Sequence, residues 1–130
     1  LITGGNSGIG AAIGDLLLAR GERVVSLGLE MPAPEKDNLF GYTVDLTDPT
    51  ATAKVAARIA ADHAIDAVVH NAGAILPSLL PDADPADVLK LAQLHLAAPM
   101  TLTQAVLPGM TERGCPPGPP TPRPRPACTA

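Results

Sequence analysis

Thr3-Gly4-Gly5-Asn6-Ser7-Gly8-Ile9-Gly10 is the stretch whose residue types and spacing could do chemistry. Before it, Leu1-Ile2 reads as the end of a buried strand; after it, from Ile9, the apolar pattern restarts with helical spacing. Glycines let a backbone turn tightly and approach a ligand with no Cβ in the way. The first N–H groups of a helix have no internal partner, and the positive end of the helix dipole lies at the same spot. The chemistry is therefore anion binding, and a pyrophosphate fits it. The alternative is an ordinary glycine-rich turn closing a βα unit. Two later stretches could join the first: Asp45-Leu46-Thr47-Asp48 and Asn71-Ala72-Gly73, each following an apolar run that reads as a strand.

The elements that must position these residues can be read in order. Ile9, Ile13, Leu16, Leu17 and Arg20 predict a first helix over residues 8–20 with one apolar face. Gly21 stands where a left-handed cap residue belongs. Residues 23–27 form a short β-branched strand, which makes a parallel β-α-β unit. Residues 31–38 are a proline-rich polar loop, and residues 39–44 a third strand. Asp48 suits a helix N-cap and Pro49 the first helical position. Thr52, Val55, Ala56 and Ile59 share a face of that helix. Residues 67–70 give a fourth strand, with His63 near a helix end and His70 hydrogen-bonded or half exposed. Asp84 and Pro85 start the next helix. Val88, Leu89, Ala92, Leu96, Leu102, Ala105 and Val106 predict its apolar face, bent or interrupted at Pro99.

The first stretch reads T-G-x-x-x-G-I-G rather than G-x-G-x-x-G. With N-A-G at a later strand end, it resembles the short-chain dehydrogenase/reductase family. The resemblance implies a Rossmann-type doubly wound α/β parallel sheet with strand order 3-2-1-4, and an NAD or NADP cofactor. It places Thr3, Gly4, Asn6, Ser7, Gly8, Ile9 and Gly10 at the cofactor. Asp45, with Leu46 beside it, would accept from the adenine amino group; a turn-capping Asp is the plainer alternative. Asn71, Ala72 and Gly73 would line the floor by the adenosine ribose. The long helix from Pro85 resembles the family's interface helix, which implies a homo-oligomeric parent.

Three departures qualify the resemblance. The residue that selects NAD or NADP would fall near Gly28 or Leu29, and neither is charged. Glu30 is two positions late and is the better read as a solvated loop carboxylate. The lean is to NAD, because no cation is placed for a 2′-phosphate. His95 stands at the catalytic position where the family has an Asn; a proton relay and a simple bond to a nearby carbonyl are equal alternatives. Finally, the match ends near residue 113, and the family's catalytic Ser and Tyr-x-x-x-Lys have no counterpart here. The only tyrosine is Tyr42. Two segments are expected: residues 1–113, a partial NAD(P)-binding domain truncated to the N-terminal half, and residues 114–130, a proline-rich tail. An out-of-frame tail is the preferred account of the latter, with a genuine polyproline segment as the other. The function implied is NAD(P)-dependent oxidation or reduction of a small alcohol or carbonyl substrate. The alternative is a non-catalytic dinucleotide-binding module or inactive fragment.

Composition narrows the classes. In 130 residues there are 46% hydrophobic residues but one Phe, one Tyr and no Trp, so the core is aliphatic, as a buried parallel sheet prefers. The net charge of −4, with no basic patch before the tail, argues against a nucleic-acid partner. No apolar run approaches the ~20 residues that span a bilayer, so no membrane is implied. Cys115 and Cys128 frame neither a disulfide scaffold nor a metal site, and a reducing cytoplasm is the default.

Overall fold

A computed structural model describes residues 1–30 and 36–114. Most of the proline-rich loop, and the tail with both cysteines, lie outside the described residues. The elements are β1 (Ile2–Thr3), α1 (Gly8–Ala19), β2 (Val24–Gly28), β3 (Leu39–Thr43), α2 (Pro49–Asp62), β4 (Val69–His70), α3 (Pro85–Ala92) and α4 (Ala98–Glu112). A π-helical stretch, Gln93–Ala97, joins the last two.

The four strands form one parallel sheet in the order β3-β2-β1-β4. Ile2 pairs with Ser26 on one side and Val69 on the other. Parallel strands need crossovers, and helices supply them on both faces. Alternation along β2 divides its side chains between the faces. Val25 and Leu27 join Ile59, Leu102 and Val106 in the core under α2 and α4. Val24, with Ile2, faces α1 at Gly14.

Local signals account for the helix starts. The Asp48 side chain accepts from the backbone N–H of Thr50 and Ala51, with Pro49 at the first helical position. Asp84 does the same for Ala86 ahead of Pro85. Gly21, at φ +81°, takes the left-handed conformation after α1.

Two sequence expectations are corrected. The inward face of α1 is not the stripe through Ile9, Leu16 and Arg20. Ile9 and Leu16 are exposed, and the buried residues are Gly10 and Gly14. The helix is rotated because Gly10 packs directly against the Gly4 backbone, where any larger residue is excluded. Second, the long helix carries two apolar faces rather than one. Leu94, Ala98, Leu102 and Val106 are buried, whereas Val88, Leu89, Leu96 and Met100 are exposed. Pro99 has no N–H for the carbonyl four residues back. The helix accommodates this by widening: the Ala98 N–H bonds the Gln93 carbonyl, five residues back. The strand expected over residues 67–70 pairs along its length: beyond β4, the Leu1 backbone N donates to the Ala67 carbonyl at 2.9 Å and the Leu1 carbonyl accepts from the Val69 N–H at 2.8 Å.

Candidate functional site

The carboxyl ends of the strands open onto a cleft of about 520 Å³. One wall is the turn between β1 and α1, through Gly4, Asn6 and Ser7. The segments after β2 and β3 contribute Glu30 and Asp45, and the segment after β4 contributes Asn71 to Ala74. Open α/β sheets bind ligands at such carboxyl ends, where neighbouring connections diverge.

Asn71 is the keystone between β4 and the glycine turn. Its Nδ2 donates to the carbonyls of Thr3 (3.2 Å) and Gly4 (3.1 Å). The Thr3 hydroxyl accepts in return from the backbone N–H of Asn71 and Ala72, both at 3.0 Å. Thr3 is buried, so these bonds are shielded from water. Gly10 fits beneath this knot: a Cβ there would lie 2.6 Å from Asn71 Nδ2 and closer still to the Gly4 oxygen. Gly8 is the opposite case. It has φ +52°, and a Cβ there would meet nothing within 4 Å. The start of α1 is therefore held from behind and open in front.

Asp45 lies at the cleft, and its carboxylate is also a turn cap. Oδ1 accepts from the Thr47 backbone N–H (2.9 Å) and hydroxyl (2.7 Å). Those two bonds hold its pKa below the ordinary carboxylate value. The turn-capping reading of Asp45 is thus observed, and the residue also lines the cleft. Leu46, Ala72 and Gly73 line the cleft too; Thr3, Gly8, Ile9 and Gly10 do not, being under it or beside it. His95 Nε2 lies 3.1 Å from the Ala74 carbonyl, to which it donates, and its ring rests against Gly73. Sequence reasoning gave no weight to Ser26, Leu94 and Thr47. Thr47 was findable, as an Asx-turn partner two residues after Asp45.

Tyr42 is not at the cleft. Its hydroxyl donates to Asp62 Oδ2 (3.2 Å) and lies 2.8 Å from His63 Nε2. Among the described residues, no group of three or more His, Cys, Asp or Glu could hold a metal ion.

A family model described as short chain dehydrogenase matches residues 1–115. The chain belongs to the short-chain dehydrogenase family. It is similar to an uncharacterized oxidoreductase, YmfI, of Bacillus subtilis, with 34% identity over 85% of this chain and 49% of that protein. It is also similar to the 3-oxoacyl-[acyl-carrier-protein] reductase FabG of Salmonella typhimurium, at 27% identity over 88% of this chain and 50% of the relative. Among solved structures, a short-chain dehydrogenase from Streptomyces avermitilis aligns with a TM-score of 0.77 and 30% identity, over 87% of this chain and 44% of its own. A Leptospira borgpetersenii short-chain dehydrogenase with bound NAD+ shares the fold at TM-score 0.75 and 20% identity, over 88% and 46%. The chain spans about half the length of the curated relatives it matches. The family implies an NAD(P) cofactor. The chemistry beside the cleft fits one: open space over Gly8, and the free N–H groups of the first turn of α1.

Proposed function

We propose that this chain is the dinucleotide-binding part of an NAD(P)-dependent oxidoreductase acting on an alcohol or carbonyl substrate. The observation that carries the reading is the start of α1, braced by Asn71 and Gly10 and open at Gly8 on the edge of the cleft. When bound, the nicotinamide supplies the hydride donor or acceptor. The chain's own residues bind and orient. The N–H groups at the start of α1 take the pyrophosphate, Asp45 accepts from the adenine amino group, and Asn71 to Gly73 form the floor. NAD is preferred over NADP: Glu30 and Asp45 are the charged residues lining the cleft, and among the described residues no Lys or Arg lines it for a 2′-phosphate. His95, tied to the carbonyl of Ala74, holds the segment after β4 against the helix and so acts as a positioning residue.

A specific observation favours a second reading, in which these 130 residues bind the cofactor without turning it over. Tyr42 is the one tyrosine in the sequence, and its hydroxyl is engaged at the far end of α2. Burial, then the bond to Asp62, raises its pKa, the wrong direction for proton exchange near neutrality. The exposed stripe of Val88, Leu89, Leu96 and Met100 suits a homo-oligomer contact. Among the described residues no helix is long and apolar enough to cross a membrane. A net charge of −4 supports a reading without a nucleic-acid partner.

Calorimetric titration of NADH and NADPH into the chain and into Gly8→Val tests the main reading, with circular dichroism checking the fold. The expected result is saturable binding, tighter for NADH, and abolished by the valine. Unchanged affinity in the variant refutes it. Substrate-dependent turnover lost on changing His95 or Tyr42 would overturn the second reading.

A further inference from the structure

The end of β2 lacks the acidic side chain that would bind a ribose 2′-hydroxyl, and its place is already taken. Asn6, from the glycine turn, reaches across to this strand. Its Oδ1 accepts from the Ser26 hydroxyl at 2.5 Å, and its Nδ2 donates to the backbone carbonyl of Glu30. Gly28 lies directly beneath: a Cβ there would come 2.5 Å from Asn6 Nδ2 and 3.1 Å from its Cγ. Ser26 is buried, so the bridge is anchored on a side chain with no freedom to swing away. One carboxamide therefore fills the space above Gly28 and fixes the segment that carries Glu30. Asn6, Gly28 and Glu30 all line the cleft.

We infer that Asn6 is a positioning residue for cofactor choice, the clip that fixes the backbone at Glu30 and so sets where its carboxylate can reach the ribose end of the cleft, in place of an acid on β2. The inference rests on the dinucleotide reading above. Physically, the reach of a loop carboxylate is set by the backbone that carries it, and an untethered loop carries its carboxylate out of range at small cost. Asn6 restrains that backbone at the Glu30 carbonyl through one end of its amide, the other end being tied to the Ser26 hydroxyl. The same arrangement explains why β2 ends in glycine. An Asp at position 28 and the Asn6 amide cannot occupy one space, so the chain can use one device or the other.

The test is calorimetric affinity for NADH and for NADPH in the full chain, Asn6→Ala, Gly28→Asp and the double variant, with circular dichroism on each. Asn6→Ala is expected to weaken NADH by about tenfold, as expected when hydrogen bonds that hold a ligand-facing group are lost, and to bring the two affinities closer together. Gly28→Asp alone weakens NADH because its side chain meets the amide. The double variant recovers NADH binding above either single change and prefers NADH, since the vacated space admits the carboxylate. Ser26→Ala, a milder loosening of the bridge, moves the NADH-to-NADPH ratio the same way and stands in should Asn6→Ala fold poorly. Unchanged affinities in Asn6→Ala or Ser26→Ala, or a double variant no better than Gly28→Asp, overturn the role of Asn6 while leaving the dinucleotide site standing. A folded parent chain that binds neither dinucleotide overturns both.

Discussion

Gly10→Ala separates propensity from packing. In a helix alone, alanine is better than glycine by about 1 kcal/mol, so sequence rules expect a more stable protein. The structure expects the reverse. The new Cβ would lie 2.6 Å from Asn71 Nδ2 and 2.8 Å from the Gly4 carbonyl carbon, where ordinary contact begins at 3.4 Å. The start of α1 must retreat by about 0.8 Å or more, and neither obstacle is a flexible tip: one is backbone, the other an amide held by two carbonyls. Overpacking of this kind costs about 1–3 kcal/mol, and loosening the Asn71 bonds adds about 1 kcal/mol each. After the propensity gain, a net loss of about 2–4 kcal/mol is expected, a large share of a small domain's stability. Gly14→Ala is the internal control. Its Cβ would sit 3.8 Å from Ile2 Cδ1 and 3.9 Å from Val24 Cγ1, in normal contact, so it should gain about 1 kcal/mol. Urea unfolding followed by circular dichroism reads both as midpoint shifts of opposite sign. A midpoint for Gly10→Ala at or above that of the parent would refute the packing argument.

Two further outcomes follow from the same geometry. Asn71→Asp should destabilise more than Asn71→Ala near neutral pH, because a carboxylate would face the Thr3 and Gly4 carbonyls with no proton to give; the alanine change should cost about 2 kcal/mol, and an aspartate variant as stable as the alanine one would contradict the bonding described. For pH, burial and then the Arg23 guanidinium hold His63 below its ordinary 6.5, against the pull of Asp62, and burial does the same to His70. The unfolded chain therefore binds more protons than the folded one just below 6.5, so the stability these histidines leave intact above 6.5 is lost as pH falls through their folded values. Urea midpoints should drop on acidification through that window, less so in His63→Gln; a midpoint that rises would reverse the sign of the argument.

Local chemistry made much of this protein legible in the sequence. The caps at Asp48-Pro49 and Asp84-Pro85 and the left-handed Gly21 follow from neighbours within a few residues, and the strand order through β4 was implied by the family resemblance. Thr3 to Gly10, Asp45 and Asn71 could be named because glycine spacing and strand-end carboxylates and amides carry their meaning in one dimension. Which side of α1 faces inward could not, because hydrophobic spacing ranks Ile9 above Gly10, while the Gly4 carbonyl, placed by Asn71 from the far end of the fold, excludes every larger side chain there. The widening of the helix at Gln93–Ala97 was visible only as a proline, and its consequence, two apolar faces instead of one, needed the register of the bonds around it. The bridge from Asn6 to Ser26 and the Glu30 carbonyl joins residues 20 and 24 positions apart. The missing acid at the end of β2 was plain in the sequence; that an amide from another turn occupies its space was decided by tertiary packing alone.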